Sequence, residues 1–145
     1  MPNVAHVLND KPSDAVYSIQ PEATVIDAIR LMAEKGIGAL VVTDPDRHVV
    51  GIFSERDYTR KVALLERTSK DTMVSEIMTA RVFTVTKSTK VSDCLEIMTQ
   101  HHLRHLPVID EQKKLVAMVS IGDLVKAVMD EQRRLIEQLE NYIAS

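Results

Sequence analysis

The chain has 145 residues, 45% of them apolar and 27% charged, with a formal net charge of −3. That length suits one ordinary domain or two half-domains sharing a core, and the composition is that of a folding chain, which excludes multidomain machinery and intrinsic disorder. Aromatic residues make up only 3%, with no Trp, so neither base stacking nor phosphate-backbone attraction is well supplied and nucleic acid is a poor candidate partner.

The one cysteine, Cys94, has no intramolecular disulfide partner and reads as a small core hydrophobe. Residues 1–11 show no cationic segment followed by an apolar run, and nowhere do about 18 apolar residues occur together. The expectation is a soluble, cytoplasmic protein without a membrane span.

In chain order, a short β-type stretch at 16–19 leads to an amphipathic helix with Val25, Ala28, Ile29 and Met32 at helical spacing. Thr24 with Asp27 marks its N-cap and Gly36 its stop. Two aliphatic runs follow at 39–43 and 49–53, separated by the turn composition Asp44-Pro45-Asp46-Arg47. A helix then begins at Ser54, and the polar segment 66–71 reads as a linker.

The same order recurs: a β-type stretch at 82–85, a helix carrying Val91, Leu95 and Met98, aliphatic runs at 106–109 and 115–119 around Asp110-Glu111-Gln112-Lys113, and a helix from Ser120. Residues 16–62 and 82–128 align without a gap, matching Val25 to Val91, Met32 to Met98, Leu40 to Leu106, Ser54 to Ser120 and Asp57 to Asp123. A β-α-β-β-α unit is therefore written twice. Neither copy can bury both faces of a three-stranded sheet, so an α+β fold is expected in which the copies pack about a pseudo-two-fold axis. Beyond the second copy, Leu124, Val125, Val128, Met129, Leu135, Ile136, Leu139, Tyr142 and Ile143 recur at three- and four-residue steps. This C-terminal amphipathic helix either covers the chain's own core or makes a subunit contact.

The most informative local pattern is an aliphatic strand followed by Ser-x-x-Asp, in Gly51-Ile52-Phe53-Ser54-Glu55-Arg56-Asp57 and again in Ala117-Met118-Val119-Ser120-Ile121-Gly122-Asp123. Singly, each is a helix N-cap with an acid in the first turn. The same groups also suit a nucleotide, because free N–H groups attract phosphate and a carboxylate can accept both hydroxyls of a ribose. Two copies related by a pseudo-two-fold would put two such sites in the cleft between the sheets.

With Ile77-Met78-Thr79 and Arg104-His105-Leu106-Pro107-Val108, these stretches resemble a tandem pair of CBS motifs, the Bateman module, and are similar to stand-alone CBS-pair proteins of bacteria and of the plant CBS-X type. The resemblance implies motif 1 over 12–66, motif 2 over 77–129 and a C-terminal helix over 130–145. It implies a regulatory or signalling module, not an enzyme, that binds AMP, ADP, ATP, NAD(H) or S-adenosylmethionine in the clefts between the motifs and modulates an unknown effector protein. Position by position, Asp57 and Asp123 match the ribose aspartate, Ser54 and Ser120 the adjacent hydroxyl, and Arg104 and His105 the phosphate-reaching basic positions, with Pro107 and Gly122 beside them. The equivalent first-copy positions are Gly38 and Ala39, and Arg56, opposite Gly122, could partly compensate. Tyr17, Met78, Ile52 and Met118 would line the adenine pockets. The alternative is a ligand-free interaction protein that acts through dimerisation and its C-terminal helix.

His101, His102 and His105 lie close enough in sequence to suggest zinc, but the helix should end near His102, no Cys is near, and the close acid is Glu96, so no metal site is expected. Apolar residues left on the outer helices of both copies predict a homodimer.

Overall fold

The computed structural model describes residues 2–11 and 16–144, so the expected start of motif 1 at 12–15 and the final residue of the tail lie outside the described residues. Two compact units result: a first-copy unit of 16–83 with 110–115, and a second-copy unit of 2–11, 84–109 and 116–144.

In the first-copy unit, strand β1 (Ser18–Ile19) runs parallel to β2 (Ala39–Thr43), which pairs antiparallel with β3 (Val49–Ser54), Leu40 opposite Phe53. Helix α2 (Val25–Lys35) connects β1 to β2. Thr24 Oγ1 accepts the Asp27 N–H at its start, and Gly36 ends it in the left-handed conformation at φ 66°. Between β2 and β3, Asp44 Oδ1 accepts the N–H groups of Asp46 and His48, and Arg47 takes φ 68°. Val25, Ala28 and Met32 of α2 pack with Leu40, Val42 and Phe53, and all five residues of β2 are buried.

Ser54 starts α3 (Glu55–Tyr58), which widens into a π-helical turn at Thr59–Ala63 where the sequence suggests an unbroken α-helix; Val62 of that turn is buried. The expected linker is in fact tied down. The carbonyls of Ser69 and Thr72 accept the N–H groups of Ile26 and Val25, two donors that a helix start leaves without intrahelical partners. Helix α4 (Val74–Ile77) follows and adds Val74 and Ile77 to the core.

The second-copy unit repeats the plan with α5 (Val91–His101), β4 (His105–Ile109), β5 (Leu115–Ser120) and α6 (Ile121–Ala144). Its leading strand, expected at 82–85, narrows to one parallel bridge between Val85 and Val108. Val91, Cys94, Met98, Leu106, Val108, Val119 and Leu124 are buried at the positions that Val25, Ala28, Met32, Leu40, Val42, Phe53 and Tyr58 hold in the first copy. Helix α5 ends as α2 does, but the left-handed residue is His102, at φ 55°.

The N-terminal segment forms a helix, α1 (Val4–Asn9), that the repeat alignment does not anticipate. It serves α5 as residues 72–77 serve α2. The Pro2 carbonyl accepts the Val91 N–H, as Thr72 accepts that of Val25. The N–H groups of Val4 and Ala5 donate to Thr89 and Lys87, as those of Val74 and Ser75 donate to Ala23 and Pro21. Val4 and Val7 are buried as Val74 and Ile77 are. The duplication thus extends one element upstream at a changed spacing, which is why a gapless alignment stops short of it.

In α6 only Leu124 is fully buried, whereas Val125, Met129, Leu135, Ile136, Leu139, Tyr142 and Ile143 are exposed. Of the two readings of the tail, cover for the chain's own core is not what these residues provide.

Candidate functional site

At the end of β3 the Ser-x-x-Asp pattern closes a reciprocal cap. The Asp57 N–H donates to Ser54 Oγ at 3.2 Å, while the Ser54 N–H and hydroxyl donate to Asp57 Oδ2 at 3.0 and 3.1 Å. Capping fixes the carboxylate beside the strand, so the structural role positions the group that a ligand would use. The other carboxylate oxygen, Oδ1, meets Lys61 Nζ at 3.2 Å and accepts the Thr79 hydroxyl at 3.2 Å. Thr79 also exchanges both backbone hydrogen bonds with Ile52, at 2.8 and 3.0 Å. Gly51 permits this approach: a Cβ there would lie 2.5 Å from Met78 Sδ and 3.1 Å from the Thr79 carbonyl. The structure therefore brings Ile52, Ser54, Asp57 and Met78 together. Tyr17 is half-buried against the core, with the Lys35 ammonium 5.3 Å from its ring centre. Arg56 is exposed on α3 and makes none of these bonds.

The second copy builds the same cap, with the Asp123 N–H donating to Ser120 Oγ at 3.1 Å and the Ser120 N–H to Asp123 Oδ2 at 2.9 Å. Here the partner is Lys11. Its ammonium lies 3.0 Å from Asp123 Oδ2 and donates to the Met118 carbonyl at 2.9 Å. One ammonium thus does what the backbone N–H and hydroxyl of Thr79 do in the first copy, bonding the strand carbonyl and the aspartate together. The Arg104 carbonyl accepts the Ile121 N–H, as Gly38 accepts that of Glu55, which holds Arg104 and His105 at the start of α6. Arg104 is exposed and His105 half-buried. Pro107 is buried in β4, its carbonyl accepting the Val85 N–H, and Gly122 is exposed, where a Cβ would lie 3.7 Å from Ser120 Oγ.

Charge separates the two groups that face each other here. Burial pushes the Asp123 carboxyl up, but the Ser120 N–H and the Lys11 ammonium outweigh it and hold the group below the usual carboxylate range. Burial holds the His105 imidazole below its ordinary value, Lys11 and Arg104 add to that, and Asp123 opposes it. The result is a carboxylate and two cations around a neutral ring at neutral pH, an arrangement that can accept hydroxyls and attract an anion.

Lys11, Lys61 and Thr79 are not among the site residues expected from the sequence, although Thr79 stands in the Ile77-Met78-Thr79 motif. Lys61 had a readable signal, four residues after Asp57 on one helical face; Lys11 had only the Val4/Val7 spacing that matches Val74/Ile77. Of the clustered histidines, His101 ends α5, His102 caps it and His105 opens β4. Among the described residues, the group spaced to hold a metal ion is instead Asp44, Asp46 and His48, where Asp44 already serves the β2–β3 turn.

The CBS-domain family model matches residues 4–64 and 74–130. This chain belongs to the CBS-domain family. The CBS protein of Burkholderia ambifaria, a solved structure, is 52% identical with a TM-score of 0.83, covering 90% of this chain and 96% of that one. The CBS-domain-containing protein CBSX3, mitochondrial, of Arabidopsis thaliana is 44% identical over 124 residues, 83% of this chain; the chain spans 60% of that relative's length. CBSX2 of Arabidopsis thaliana, solved in complex with AMP, shares the fold at 24% identity and a TM-score of 0.75, covering 90% of this chain and 98% of that one. CBS pairs are regulatory modules. No helix among the described residues is long and apolar enough to cross a membrane.

Proposed function

We propose that this chain is a regulatory module that binds an adenosine-containing ligand, AMP, ADP, ATP or NAD(H), at the aspartate of one or both CBS copies, and that occupancy alters what an effector protein meets. The observation that carries the reading is the pair of matched caps, each holding a carboxylate beside a strand carbonyl, with Arg104 and His105 added in the second copy. AMP in the CBSX2 structure supports the ligand class. The differing basic residues favour unequal sites, with phosphate preferred at Asp123. A cytoplasmic location belongs to the same proposal; since CBSX3 carries mitochondrial in its name, cell fractionation decides it.

Calorimetric titration with AMP, ATP, NADH and zinc tests this. Binding of an adenine ligand is expected, weakened by roughly 1.5–3 kcal/mol in Asp123→Ala, the scale of lost charge-assisted hydrogen bonds. Asp123→Asn, which keeps one acceptor for the cap, separates loss of ligand from loss of helix start. No heat and no melting shift with any adenine ligand at millimolar concentration overturns the reading.

A second reading, a homodimer acting through its C-terminal helix, is favoured by the exposed apolar residues of α6 together with Leu64 and Leu65, exposed at 71% and 65%.

A further inference from the structure

We propose that Lys11 is a displaceable cap on the second-copy site: its ammonium occupies acceptors that a bound adenosine needs, and ligand binding evicts it. This rests on the adenosine reading above. The ammonium sits between the Met118 carbonyl at 2.9 Å and Asp123 Oδ2 at 3.0 Å, beside the residues that the family resemblance matches to the adenine pocket and to the ribose aspartate. A diol that spans both carboxylate oxygens meets the lysine at Oδ2, which the Ser120 N–H also uses, so the ammonium competes for that oxygen.

In the first copy the equivalent contact is made by backbone. There the Ile52 carbonyl is held by the Thr79 backbone, in a bridge that can be opened only by stripping a segment from β3. In the second copy the equivalent bond is made by the tip of a four-carbon side chain, which can leave by rotation. The Lys11 and Asp123 side chains are 27% and 25% exposed, so ligand and water can reach the pair. The base of the lysine is fixed: its N–H donates to the Leu8 carbonyl at 3.3 Å, at the C-terminal end of α1, and α1 is anchored through Val4 and Ala5. An evicted ammonium therefore stays near Arg104 and His105, where it favours a phosphorylated ligand over neutral adenosine. Lys11 thus sets specificity as well as opposing entry.

The test is titration of the full chain, wild type and the variants Lys11→Met, Lys11→Gln and Lys11→Arg, with adenosine and with AMP. Adenosine should bind Lys11→Met and Lys11→Gln about fivefold more tightly than wild type, the scale of a partly exposed ion pair, with a smaller gain for AMP and none in Lys11→Arg. If wild type binds AMP but adenosine affinity is unchanged or lower in both neutral variants, the cap is overturned and the nucleotide reading stands. If neither ligand binds any of the proteins, both are overturned together.

Discussion

His105 is the residue whose titration reports the second-copy site. Its folded value lies below the ordinary 6.5, so as pH falls through 6.5 the unfolded chain takes up protons that the folded chain does not. Its contribution to stability is therefore full above that value, declines as pH is lowered towards the folded value, and is constant beneath it. Lys11→Met removes one depressing cation and should raise the His105 value; Asp123→Asn removes the opposing anion and should lower it further. Proton chemical shifts of the ring against pH check both directions. A second residue-scale comparison comes from the helix stops. Gly36 and His102 hold the same left-handed position, at φ 66° and 55°, but only glycine does so without a Cβ penalty. His102→Gly should stabilise the protein by about 0.5–1 kcal/mol and Gly36→Ala should destabilise it by about as much, as read from denaturant midpoints.

At the scale of elements, α1 is a structural part of the second-copy unit. It buries Val4 and Val7, and residues 2–5 exchange backbone hydrogen bonds with the chain leading into α5. Deleting residues 1–10 should cost roughly 3–6 kcal/mol, at about 1.5–3 kcal/mol for each buried valine, and lower the melting temperature. Retention of full stability would mean that the segment only rests on the surface. Burial also explains the thiol: Cys94 is fully buried in α5 and its pKa is pushed up to about 11, so it packs as the small hydrophobe that its spacing suggests.

For the whole molecule, the exposed residues of α6 set the prediction. Leu135, Ile136, Leu139, Tyr142 and Ile143 are between 46% and 80% exposed, a stripe that a second copy of the chain can cover. Light scattering of the intact chain at micromolar concentration is expected to give a dimer, weakened when the chain is ended at Asp130. A monomeric intact chain rejects the dimer, and an undiminished dimer after truncation confines the helix to a supporting role.

The duplicated core was legible because its signals are local and periodic: the helix stripe of Val25, Ala28 and Met32, the alternation in β5, the turn built on Asp44 and again on Asp110, and the Ser-x-x-Asp caps all act within a few residues of one another. Fold class and the positions of Asp57 and Asp123 follow from them. What surrounds those carboxylates was decided by tertiary structure. Lys11 reaches Asp123 from the far end of the chain, and Thr79 reaches Asp57 only because Gly51 lets Met78 lie on β3. A polar contact between distant residues leaves no period in a sequence, since one ammonium or one hydroxyl suffices to make it and its neighbours need not vary in step.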